Sequence, residues 1–240
     1  MTDPCGDYSL ACRACAQKFA KWQRQIEVIT SEVGWLVYDH KIFQTVTELM
    51  DVAELPALDG TFYKWLGDTY QETLSLRIRR LLDTDKRTDS LGVVLSDIAA
   101  NSKVLSRERL VALYIQGGTD QRINEHLSSE AGGVFDRVAG KDERFFRPRT
   151  AGDDLDELTR ASRRIRDVAD KVFAHSDRKR PEEGPTWGEA DECVERLTKT
   201  TQKYRALLVG TSLTRKVEPE LPEGWTHVFR QPWSPGEAPR

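Results

Sequence analysis

Apolar side chains recur every three or four residues through most of this chain, and that spacing leaves the α-helix as the element they can fill. Leu10, Ala14, Phe19, Trp22, Ile26 and Ile29 set a first helix over residues 8–30. Gly34 interrupts the pattern, and a second helix carries Trp35, Val37, Tyr38, Ile42, Phe43, Val46, Leu49 and Met50 toward Pro56. Asp59 suits the N-cap of a third helix over 60–83, with Arg77, Arg79 and Arg80 near an end where cations oppose the helix dipole. Shorter helices follow over 91–100 and behind Ser106. Another spans about 119–138, with a break expected at Gly132-Gly133. Residues 140–153 read as a basic loop around Phe145-Phe146, and a helix then occupies 154–175. Thr186-Trp187-Gly188-Glu189 spells a capping box, so the last helix starts there and runs to Val209 before Gly210. Helical patterns joined by short polar loops predict an all-α, multi-helix bundle.

The final thirty residues differ in kind. Pro219, Pro222, Pro232, Pro235 and Pro239 account for five of the 10 prolines, and Trp225-Thr226-His227-Val228-Phe229 alternates like a strand. The division expected is a helical domain over 1–209 and an extended, strand-bearing tail over 210–240 that straps the bundle.

Bulk charge excludes some functions. At 31% charged residues and a net charge of −3, the chain lacks the overall basic balance of a non-specific nucleic-acid binder, though local basic patches survive the average. The N-terminus is acidic and lacks a signal-like apolar core, and no apolar run approaches a membrane span, so a cytoplasmic chain without membrane attachment is expected. Cys12 and Cys15 form a Cys-x-x-Cys pair, but no second ligand pair follows at zinc-site spacing, so no metal is expected. With no Gly-rich phosphate loop either, no cofactor is expected.

The segment Arg160–Arg180 concentrates what remains. Leu158, Ala161, Ile165, Val168, Ala169 and Val172 make a core-facing stripe. At about 100° per residue, Arg164, Lys171 and His175 gather on one flank of that stripe, and Arg166, Asp170 and Asp177 on the other. One of 4 histidines, His175, thus stands where the helix ends, ahead of the basic loop Arg178-Lys179-Arg180. A histidine there either caps the last carbonyls with its charge or does acid–base work near neutral pH.

Asp170-Lys171-x-x-Ala174-His175-x-Asp177 resembles the end of the signature helix in the HEPN superfamily of small helical, nucleic-acid-associated proteins. The stretch Arg77-Ile78-Arg79-Arg80-Leu81-Leu82-Asp83 with Asp89-Ser90-Leu91-Gly92-Val93-Val94-Leu95, and the patch Asp39-His40-Lys41-Ile42-Phe43, resemble its abortive-infection AbiU-type branch. The likeness spans about residues 20–208. It implies a HEPN-like bundle that dimerises through the motif helix, in a prokaryotic defence or toxin system with an antitoxin protein as partner. It implies metal-independent cleavage of RNA by 2′-hydroxyl attack, with His175 as acid/base and Asp170 and Lys171 beside it; the nearby cations Arg164, Arg166, Arg178 and Arg80, none at the motif's own arginine position, are the residues expected to contact nucleic acid. The pattern departs at one position: Ala169 stands where the motif arginine belongs. Two readings therefore remain, an endoribonuclease with a degenerate motif and a non-catalytic HEPN-like module that binds nucleic acid or protein.

Overall fold

The computed structural model describes residues 8–52, 60–115, 120–174, 184–217 and 219–230. Helix α1 spans Arg13–Val52, α2 Gly60–Leu81, α3 Leu91–Ala100, α4 Arg107–Tyr114, α5 Gln121–Ala139, α6 Pro148–Ala161, α7 Arg163–Val168 and α8 Trp187–Val209. A π-helical turn, Ala169–Ala174, continues α7, and short 3-10 turns cover Ser102–Val104 and Trp225–Arg230. No strand forms among the described residues; the one extended pairing is an isolated antiparallel bridge between Ser106 and Phe145. The all-α expectation holds. The strand expected at 225–229 does not, because Trp225–Arg230 closes into a 3-10 turn behind Gly224, whose backbone is left-handed (φ 73°).

Two expected helices are one. At 40 residues, α1 runs for about 60 Å, straight through Gly34. This glycine marks a close approach rather than a break: a β-carbon there would stand 2.5 Å from the Val217 carbonyl oxygen. The segment after α8 crosses α1 at that point, and only a residue without a side chain lets it seat. Gly132-Gly133 likewise leaves α5 continuous. Arg107 lies across that stretch, donating to the Gly132 carbonyl (3.3 Å) and pairing with Asp136. The expected 140–153 loop ends early, since Pro148 opens α6 at a first-turn position that needs no amide hydrogen.

Helix α8 packs along α1, α3 against α6, α5 against α4, and α2 against α1 and α7. Trp22, Ile26, Ile29, Ile78, Leu95, Leu197 and Tyr204 lie in the common core. Phe146 joins them at 1% exposure with its ring edge-on to Tyr204 (5.9 Å between centroids), so it anchors the loop before α6 and is not free to stack on a base. Phe145, its neighbour, contacts Tyr8 and Arg144 instead.

Polar groups at the core's edge are tied with specific partners. Trp22 Nε1 and Lys18 Nζ both donate to Asp97 (2.9 and 3.0 Å). Tyr204, fully buried, donates its hydroxyl to Asp154 (2.7 Å), which also accepts from Lys203. Burial, reinforced by that carboxylate, pushes the Tyr204 phenol far above its ordinary range. Asp154→Ala strands the hydroxyl in the core and is expected to cost about 2 kcal/mol, read as a lowered midpoint in urea denaturation.

Cys12 and Cys15 are not joined to each other. Cys15 is buried and outside any disulfide, while Cys12 is disulfide-bonded. Cys193 is buried in α8, and desolvation pushes its thiol up to about 12, which makes it packing rather than chemistry.

Candidate functional site

The signature segment begins on α7, whose Ile165 and Val168 are buried where it packs against α2. The chain then widens into the π turn at Ala169–Ala174. In such a turn each amide reaches the carbonyl five residues back, and single π turns inside helices are frequent at functional sites. The uniform 100° step assumed from sequence therefore fails from Ala169 onward, and the expected alignment of Lys171 with Arg164 does not follow.

Each site residue expected from sequence has a distinct setting. Ala169 is fully buried at 0% exposure, so no side chain at that position points to solvent. Asp170 is half-exposed and forms an ion pair with Arg79 of α2. Lys171 is exposed. Arg164 serves the scaffold: its guanidinium donates to both oxygens of Glu189 (2.8 and 3.0 Å) and to the Gly184 carbonyl (2.7 Å). Glu189 is the capping-box residue of α8. The Thr186 amide, and then Arg164, hold its carboxyl below the usual range. Arg164 thus fastens α7 to the start of α8. Arg166 has its Nε buried without a hydrogen-bond partner, and no carboxylate pairs with it among the described residues. Arg80 pairs with Glu32 (2.7 Å) beside a shallow pocket also lined by Asp83 and Asp89. His175 and Arg178 lie outside the described residues.

Three arginines of α2 meet three partners on two helices. Arg77 pairs with Asp39 of α1 (3.0 Å), Arg79 with Asp170, and Arg80 with Glu32 of α1. Arg79 alone among them reaches the signature segment.

One turn below, the Asp39-His40 patch is a closed polar network. His40, 8% exposed, has Nδ1 against the Tyr70 hydroxyl and Nε2 3.0 Å from Asp191 Oδ1. A neutral ring satisfies both: Tyr70 donates to Nδ1, and Nε2–H donates to the carboxylate. Phe43 stacks on Tyr70 at 4.0 Å, and Trp187 leans on both rings. Burial lowers the His40 pKa, and Asp191 offsets part of that. Burial also raises the Tyr70 phenol. A cleft of about 590 Å³ opens beside His40, but Asp191, Glu192 and Glu195 line it. Lys199 is the one cation of that lining, so its acidic excess disfavours a phosphate backbone, and among the described residues the α2–α7 seam gathers more arginines.

With this geometry in place, the comparison with known families is decisive: the family model for AbiU2, a HEPN family, matches residues 19–217. The chain belongs to the AbiU2 family of HEPN domains. The match takes in α1 almost from its start and ends at Val217, the residue seated over Gly34. No curated protein and no solved structure matches the chain. Membership places an AbiU2-type HEPN module in the context of abortive infection. No helix among the described residues is long and apolar enough to cross a membrane.

Sequence reasoning marks Arg79 only as one of the Arg77, Arg79, Arg80 and Asp83 cluster able to reach a cleft, and assigns Tyr70 and Asp191 no role. Arg79 is separated from its partner Asp170 by 91 positions, and Tyr70 and Asp191 meet His40 only through packing of α1, α2 and α8.

Proposed function

We propose that this AbiU2-type chain is an RNA-directed effector of a prokaryotic defence or toxin system, acting at the C-terminal end of its signature helix. The observation that carries this reading is the Arg79–Asp170 pair, which sets a guanidinium against the signature segment of a HEPN chain. In the reaction, the ribose 2′-oxygen attacks the adjacent phosphorus and the P–O5′ bond breaks. The products are a 2′,3′-cyclic phosphate and a 5′-hydroxyl. The nucleophile belongs to the substrate, so the protein need only move protons and steady charge on phosphate oxygens. His175 takes the proton of the 2′-hydroxyl or supplies one to O5′, and the chain works as a homodimer through the motif helix.

The test is single-stranded RNA incubated with the full chain in EDTA. Cleavage to cyclic-phosphate ends is expected, and His175→Ala is expected to slow it by about 10²–10⁴-fold. Cleavage that persists unchanged in His175→Ala would overturn the role of that residue. RNA that is bound but never cut would favour the second reading, a non-catalytic nucleic-acid-binding module. Ala169 favours that reading, since its buried position carries no cation.

A further inference from the structure

We infer that Arg79, on the facing helix α2, is the phosphate-binding cation of this site, and that the Asp170 carboxylate occupies the place a backbone phosphate takes when RNA binds. This rests on the RNA-directed reading above and names the residue through which it acts.

Position 169 cannot supply the cation: Ala169 is at 0% exposure, sealed where α7 meets its neighbours. Across the seam, Arg79 already has its guanidinium on an anionic oxygen of the signature segment. A carboxylate and a phosphodiester present the same feature to an arginine, two negatively charged oxygens that the planar fork can bridge. The side chains of the pair are 43% and 48% exposed, so solvent screens it and its opening costs little. A phosphate arriving there meets a guanidinium aimed and held by a partner it can displace.

The neighbouring charges favour that exchange. Arg166, four residues before Asp170 on α7, has no carboxylate partner among the described residues. Releasing Asp170 from Arg79 would therefore add a second unpaired guanidinium to this part of the fold. Arg77 and Arg80 are poorer choices. The first is paired with Asp39 against α1, and the second sits among Glu32, Asp83 and Asp89.

The assignment predicts opposite signs for two variants of one ion pair. Binding is measured by fluorescence anisotropy, using the full chain and a short single-stranded RNA whose 2′-hydroxyls are methylated so that it cannot be cut. Arg79→Ala is expected to weaken binding about tenfold and to lower the salt dependence by about 0.7, one phosphate contact on a single strand. Asp170→Asn, the same size and uncharged, is expected to tighten binding about threefold by freeing Arg79. If the pair only braces α7 on α2, both variants weaken binding together, and the assignment is overturned. If the wild-type chain binds but both variants are silent, the assignment falls while the RNA reading stands. If the wild-type chain does not bind RNA at all, the RNA reading fails and this inference with it. Thermal melting of both variants separates loss of binding from loss of fold.

Discussion

Ala169→Arg, the substitution that would complete the family's written motif, is expected to destabilise the domain by about 3 kcal/mol and not to raise activity on RNA. The β-carbon of residue 169 is fully buried, and a guanidinium placed there must either stay unpaired in the core or force α7 away from its packing. Leaving a charge buried without compensation costs about 3–5 kcal/mol, and overpacking alone costs about 1–3. Urea denaturation measures the first part, and RNA cleavage in EDTA the second. A variant of wild-type stability with higher activity would mean that the buried setting of position 169 gives way easily, and would return the missing cation to the motif helix.

The His40 network gives the second large effect. His40→Ala removes the acceptor from a buried tyrosine hydroxyl and opens a cavity between α1, α2 and α8, for an expected loss of about 3 kcal/mol. It should also alter the pH dependence of stability. Burial holds the His40 pKa below its ordinary 6.5 in the folded chain, so the unfolded chain takes up the proton first as pH falls. The contribution of His40 is then fully present above about pH 6.5 and shrinks as the pH drops from there toward the folded value. Denaturation midpoints measured from pH 8 to pH 5 are expected to fall in the wild type and to lose that component in His40→Ala. An unchanged profile would mean that the Asp191 carboxylate fully compensates for burial.

Much of the fold could be read before the structure, and the exceptions share a cause. Stripes such as Trp22, Ile26 and Ile29 or Leu74, Ile78 and Leu81 declare helix because a 3.6-residue period is imposed by burial on one face. The capping box at Thr186 places the start of α8 correctly, because both of its hydrogen bonds are local. Gly34 misled, since a glycine that admits another segment's backbone looks the same in sequence as one that ends a helix. Trp225–Phe229 misled because five residues are too few to fix a period, and the chain there closes into a 3-10 turn instead. At the candidate site, the sequence singles out Asp170 through the signature it belongs to. It does not single out the partner: nothing local to Asp170 announces that Arg79 will meet it. Arg164 shows the converse, a cation on the right helix that the fold commits to Glu189 and Gly184.

The π turn at Ala169–Ala174 also bears on how the length of this segment can vary. A π turn is an α-helix that has absorbed an extra residue without breaking, at the cost of one widened turn. Removing one residue between 169 and 174 would let this turn return to regular α geometry while leaving α7 in place. A helix built this way takes up an insertion or a deletion between 169 and 174 in a single turn, so the length of this segment can vary by a residue without unfolding α7.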